Sequence, residues 1–275
     1  MLHKTISLKE VYPFLGEENR DPKLTLYLHE HNPQDTWKKE KMPCILVCPG
    51  GGYSSVSPRE AEPIALNFLP KGFQVFVLTY SVAPNRYPTQ LREVAAAMEV
   101  IYVNAEAWGC DTDRIAIMGF SAGGHLACHY SNCYDCADVR AAFPESKGVQ
   151  ASVLCYPVIT ADPCWRHTGS FQNLTGEREL SQHTIEEFSL NRKVTDRTPP
   201  TFLWHTTEDQ MVPVMNSILY AEALAEKKVP FTMRIYPHGV HGLATADDLT
   251  CADWTPVPDV HEWMEAAAQW LLGSM

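Results

Sequence analysis

The chain opens with two stretches, residues 5 to 12 and 22 to 30, in which apolar and polar positions nearly alternate. Leu24, Leu26 and Leu28 fall on one face, and Thr25, Tyr27 and His29 on the other, which predicts an antiparallel opening hairpin. Residues 32 to 42 are polar and read as a loop. The pattern then changes to short unbroken apolar runs, as expected of strands buried on both faces. These are Cys44–Cys48, Phe73–Leu78, Ile115–Met118, Ala151–Cys155 and Thr201–Trp204, with a more polar last strand over 231–236. Between them, residues 59–70, 88–107, 122–131, 213–227 and 259–272 predict helices. In the second of these, Pro88 stands at the start, and Leu91, Val94, Ala95, Met98 and Ile101 recur at helical spacing. Strands alternating with helices imply a mainly parallel sheet covered on both faces.

One stretch interrupts the alternation. Residues 159–199 contain no strand pattern and at most a short helix over Ser181–Asn191, with Ser181 as its N-cap. An excursion this long is read as a cap over the functional site, with a plain surface excursion as the alternative. With no repeat and no linker, the chain is expected to be one domain over residues 1–275.

Composition narrows the function. The 275 residues are 45% hydrophobic and 20% charged, a globular mixture. A formal charge of -11 argues against nucleic acid as a partner. No apolar run has the length of a membrane span, and the first residues lack a secretory pattern. Nine scattered cysteines fit reduced thiols, so a cytoplasmic location is expected. The sequence leaves oligomeric state open, a homodimer included.

The chemistry centres on Gly119-Phe120-Ser121-Ala122-Gly123, which lies between a predicted strand and a predicted helix. That setting suits a serine on a sharp turn, where side chains two residues before and two after would strike backbone. A serine hydroxyl needs a base. His241, in Gly239-Val240-His241-Gly242, is favoured over His238, which directly follows the last strand. Asp209, after the strand ending in Trp204-His205, is the expected acid, ahead of adjacent Glu208 and the earlier Asp162. Pro49-Gly50-Gly51-Gly52-Tyr53 follows the first buried strand. Its amides, with that of Ala122, are expected to hold an oxyanion. Tyr53, Tyr156 and Trp165 are candidates for lining a substrate pocket. Cys133-Tyr134-Asp135-Cys136, near His125, Cys128 and His129, lacks a second matched pair and is read as ordinary thiols, so no metal and no cofactor are expected.

Taken together, Pro49–Tyr53, Gly119–His125, His205–Pro213 and Gly239–Gly242 resemble the α/β-hydrolase esterases. The branch is that of bacterial acetylxylan and feruloyl esterases and relatives of hormone-sensitive lipase. Thr79–Pro84 leading to Tyr87-Pro88 is similar to a further segment of that family. The resemblance covers roughly residues 40–272. It implies the α/β-hydrolase fold, a Ser121–Asp209–His241 triad, and Gly51, Gly52 and Ala122 as oxyanion donors. Relatives of hormone-sensitive lipase carry histidine before the glycines, where this chain has Pro49, so the carbohydrate-esterase branch fits better. The implied activity is a serine carboxylic-ester hydrolase removing short acyl groups, such as acetyl from sugars or xylo-oligosaccharides, through an acyl-enzyme. A prolyl-oligopeptidase-like peptidase or amidase and a non-catalytic hydrolase-fold binding protein are the alternatives.

Overall fold

The computed structural model describes residues 1–15, 21–30, 41–251 and 257–275. The strands are β1 (Leu2–Ser7), β2 (Lys23–Leu28), β3 (Met42–Cys48), β4 (Gln74–Thr79), β5 (Cys110–Phe120), β6 (Ala151–Cys155), β7 (Thr201–Thr206) and β8 (Phe231–Tyr236). They form one sheet in the order β1-β2-β4-β3-β5-β6-β7-β8. β2 pairs antiparallel with β1 and β4; every later pairing is parallel.

The helices are α1 (Leu8–Val11), α2 (Glu62–Phe68), α3 (Thr89–Asn104), α4 (Ser121–Cys133), α5 (Ala137–Arg140), α6 (Thr168–Thr175), α7 (Gln182–Phe188), α8 (Met215–Glu226), α9 (Pro258–His261) and α10 (Trp263–Ser274). Side-chain alternation along the buried strands feeds two cores, one on each face of the sheet. Leu46, Ile117 and Leu154 pack with residues of α3, α4 and α8 such as Val94, Leu126 and Tyr220. Val47, Met118 and Val153 face the other way, onto Phe68 of α2 and Trp263 and Leu271 of α10. Both faces are therefore apolar, which is why these strands read as continuous apolar runs.

The expected elements are present with shifted ends. The opening strand does not run to residue 12. Pairing stops at Ser7 opposite Lys23, because Pro22 precedes β2 and has no amide to extend the ladder. Leu8 then donates to the Pro22 carbonyl and starts a helical turn in which it alone is buried. β5 begins at Cys110, five residues earlier than its apolar run, and pairs with Met42 across a register shift. The polar loop read over 32–42 lies, but for its last two residues, outside the described residues, and Met42 already belongs to β3.

Residues 159–199 carry α6, α7 and a 3-10 turn at Leu190–Arg192, and no strand. Ser181 caps α7 through Oγ, which accepts from the Thr184 amide at 3.2 Å. The segment is stitched to the core. Asn173 donates to the Gly52 carbonyl at 2.9 Å, and buried His125 of α4 donates through Nε2 to the Phe188 carbonyl at 3.1 Å. Asn216 of α8 accepts from the amides of Ile159 and Thr160. Among the described residues no helix is long and apolar enough to cross a membrane.

Candidate active site

Ser121 is the first residue of α4, directly after β5, and has φ +51°. A non-glycine residue in the left-handed region is strained and persists only where its surroundings hold it. The flanking glycines let the turn close. A Cβ on Gly119 would collide with the Gly123 carbonyl, and one on Gly123 with the carbonyls of Cys48 and Pro49. The Ser121 carbonyl is held by the Val158 amide at 3.0 Å.

The hydroxyl of Ser121 lies 2.8 Å from His241 Nε2, and His241 Nδ1 lies 2.6 Å from Asp209 Oδ2. The carboxylate fixes the tautomer: Nδ1 carries the proton, leaving Nε2 to accept from the serine. The Asp209 side chain is fully buried and that of His241 is 11% exposed. Burial pushes the Asp209 carboxyl up, but hydrogen bonds from His205 and His241, the His241 charge and the Val212 amide outweigh it and hold the acid well below the usual carboxylate range. Asp209 Oδ1 accepts from the amides of Met211 and Val212 at 3.0 and 2.9 Å.

The competing sequence candidates lie elsewhere. His238 pairs with Glu208 at 2.9 Å on the surface, both side chains more than half exposed. Asp162 shapes its own loop by accepting from the Cys164 amide.

The glycine loop follows β3. Gly51 and Gly52 have φ +128° and +62°, values that disfavour a side chain. A Cβ on Gly51 would run into the Ser55 carbonyl. Among the described residues the amide of Gly50 is taken by Glu60 at 2.7 Å, whereas those of Gly51 and Gly52 donate to no protein acceptor. The Ala122 amide lies in the first turn of α4, where no intrahelical acceptor exists. Three amides thus remain for an anion near Ser121, at the positive end of a helix.

These groups border a cleft of about 570 Å³ lined by Gly51, Gly52, Ser121 and His241, by Ser54, Ser55 and Ser57, and by His167 and Met211. His167 comes from the 159–199 segment. Its Nδ1 is bonded to Ser170 Oγ at 2.8 Å. Burial pushes its pKa down, and a protonated His241 would push it further.

The aromatic candidates do not meet in this cleft. Tyr53 is 1% exposed and its hydroxyl bonds His125 Nδ1 at 3.0 Å. Tyr156 is 2% exposed, donates to Glu60 Oε1 at 2.7 Å, and stands edge-on to the His241 ring at 5.1 Å between centroids. Trp165 is partly exposed but is not among the lining residues. Sequence reasoning missed His205, Glu60 and His167. His205 Nε2 faces both Asp209 Oδ2 at 3.2 Å and the Val212 carbonyl at 2.9 Å, so it carries the proton, and Nδ1 accepts from Ser217. Among the described residues no group of three or more His, Cys, Asp or Glu could hold a metal ion. Burial raises the Cys128 thiol and pushes Cys133 up to about 12.

A mainly parallel eight-stranded sheet wrapped by helices, with a serine at a strand-turn-helix elbow, defines the α/β-hydrolase fold. Within that fold the chain belongs to the BD-FAE family, whose model matches residues 31–224. It is 37% identical over 244 residues to an endo-1,4-beta-xylanase B of Butyrivibrio fibrisolvens, covering 85% of this chain and 36% of that protein. It is 31% identical over 202 residues to an acetylxylan esterase of Xylanibacter ruminicola, covering 72% of this chain and 40% of that protein. The chain therefore spans well under half the length of either relative. Among solved structures it is similar to an acetyl ester-xyloside bifunctional hydrolase from Caldicellulosiruptor lactoaceticus. That match has a TM-score of 0.84 and 33% identity, covering 98% of this chain and 96% of the other. It is also similar to the carboxylesterase Cest-2923 from Lactobacillus plantarum WCFS1, with a TM-score of 0.83 and 26% identity, covering 99% and 98%.

Proposed function

We propose that this protein is a serine carboxylic-ester hydrolase that removes short acyl groups, acetyl foremost, from a carbohydrate alcohol. The observation that carries the reading is the continuous Asp209–His241–Ser121 hydrogen-bond chain opening onto a cleft beside three uncommitted amides. His241 Nε2 takes the Ser121 proton as Oγ attacks the ester carbonyl. The amides of Gly51, Gly52 and Ala122 receive the negative charge that develops on the carbonyl oxygen. Asp209 stabilises the imidazolium. His241 returns the proton to the departing alcohol, leaving an acyl group on Ser121. Water, activated by the same imidazole, then releases the acid and restores the serine.

The carbohydrate part of the reading is supported by the cleft wall. Ser57 and His167 bring polar atoms to it, and the Ser54 and Ser55 hydroxyls, which donate to the Gly51 carbonyl, can still accept from a sugar hydroxyl. The relatives named as an acetylxylan esterase and as an acetyl ester-xyloside bifunctional hydrolase point the same way.

The test is turnover of aryl esters of graded acyl length, of acetylated xylo-oligosaccharides and of aminoacyl-proline amides, each with Ser121→Ala as control. Fastest turnover on acetyl esters, lost in the control, supports the proposal. Faster amide cleavage would replace it with an amidase. No turnover, with Ser121 unreactive to a fluorophosphonate, would leave a binding protein.

A further inference from the structure

Two loops must keep a fixed distance for the acyl transfer proposed above. One is the glycine loop after β3; the other, after β8, carries His241. Three strands separate β3 from β8 in the sheet, so the ladder itself does not set the distance between their loops. We propose that Glu60 is a positioning residue that ties these two loops together and so sets the oxyanion donors relative to the base; the proposal rests on the ester-hydrolase reading.

Glu60 sits in a 3-10 turn, Pro58–Glu60, and is 3% exposed. Its Oε2 accepts from the Gly50 amide at 2.7 Å, next to the two glycines whose amides remain open. Its Oε1 accepts from the Tyr156 hydroxyl at 2.7 Å, and that same hydroxyl accepts from the Ala244 amide at 3.0 Å, three residues beyond His241. A continuous path of hydrogen bonds thus runs Gly50–Glu60–Tyr156–Ala244. Both partners of Glu60 are donors, which a carboxylate satisfies with one oxygen each.

Three further observations support the link. A Cβ on Gly50 would lie 2.8 Å from Glu60 Oε2, so the carboxylate fills the space a side chain would need. Tyr156 and Ala244 have φ +36° and +51°, strained values that must be held by their surroundings. Adjacent Arg59 grips the same histidine loop, donating to the carbonyls of Gly242 and Thr250 at 3.0 and 3.1 Å. One short turn therefore holds the glycine loop with one residue and the histidine loop with both.

Misplacing oxyanion donors by a fraction of an ångström weakens the transition state more than the bound substrate. Glu60→Gln retains shape but has a single carbonyl oxygen, so one of its two bonds is lost or reversed. It should lower kcat on an aryl acetate about tenfold, and Glu60→Ala on the order of a hundredfold, with KM within about threefold. A trifluoromethyl ketone, which forms an oxyanion on Ser121, should lose affinity in step with kcat/KM in these variants, which a role confined to stability would not produce. Should Glu60→Ala fail to fold, Glu60→Gln with Tyr156→Phe carries the test: sharing one path, the two should cost less together than the product of their separate losses. A kcat for Glu60→Gln within about twofold of the parent, a loss confined to KM, or fully multiplicative losses would overturn the proposal. Ser121→Ala separates the two ideas. If it is inactive while the Glu60 variants are normal, only the positioning role fails; if it stays active, the ester-hydrolase reading falls and takes this role with it.

Discussion

The buried imidazole of His205 donates through Nε2 to Oδ2 of Asp209 at 3.2 Å, the oxygen that also receives His241 Nδ1. The acid is thus held by a second histidine four residues earlier on the end of β7, itself anchored at Nδ1 by Ser217 of α8. His205→Ala should leave Asp209 ionised at neutral pH but free to turn. The expected result is a roughly tenfold loss of kcat with little change in KM, since geometry and not binding is disturbed. Steady-state kinetics on an aryl acetate checks it, and an unchanged kcat would show that the backbone amides of Met211 and Val212 orient the acid alone.

The two histidines of the last loop should separate cleanly. His241→Ala should cost at least about 10⁴-fold in turnover, and Ser121→Ala a similar factor, because the two act as a unit. His238→Ala removes an exposed pairing with Glu208 and should stay within about twofold. The reverse pattern would move the base role to His238.

The elbow predicts a stability effect. Gly123→Ala places a methyl against the carbonyls of Cys48 and Pro49, atoms of a core strand end that cannot withdraw. A loss of more than about 3 kcal/mol is expected, read as a lowered midpoint of urea unfolding or as insoluble protein. Gly72→Ala, where a Cβ meets nothing within 4 Å but φ is +90°, isolates the conformational part and should cost about 1 kcal/mol.

Acid should weaken the attachment of residues 159–199 to the core. Burial lowers His125 from 6.5 to about 4, so the ring is neutral when folded and accepts from Tyr53 while donating to Phe188. A histidine with a depressed folded pKa contributes stability above its unfolded value, and that contribution is lost as pH falls towards the folded one. Between pH 7.5 and 5, His125 alone should remove about 2 kcal/mol, and buried His129, lowered to about 3, adds to it. Urea unfolding at the two pH values measures the slope, and His125→Asn should flatten it. An equal slope in parent and variant would assign the acid sensitivity to other groups.

Much of this arrangement is legible in the chain. Runs such as Cys44–Cys48 and Ile115–Met118 announce themselves because both faces of the sheet are covered. The elbow is legible because Gly119 and Gly123 answer a steric demand within five residues. What escaped were side-chain relations that only folding creates, between distant residues such as Glu60 and Tyr156 and between near ones such as His205 and Asp209, four residues apart. Nothing near Glu60 signals that its carboxylate meets Gly50 and Tyr156, 96 residues away. His205 looks like one more residue of a buried strand. Tyr53 and Tyr156 were candidates for the pocket wall because an aromatic ring suits a ligand or a core equally well. Their hydroxyls bind inward, to His125 and Glu60, and burial follows from those partners.

The stitching of residues 159–199 to the core bears on how a substrate arrives. Asn173 holds the Gly52 carbonyl, and Phe188 is held by His125 from the helix that begins at Ser121. Lifting this segment would pull on the glycine loop after β3 and on the helix that begins at Ser121. Displacing residues 159–199 would therefore break both hydrogen bonds. On the proposed ester-hydrolase reading, selection among substrates would then rest on the shape of the cleft as it stands.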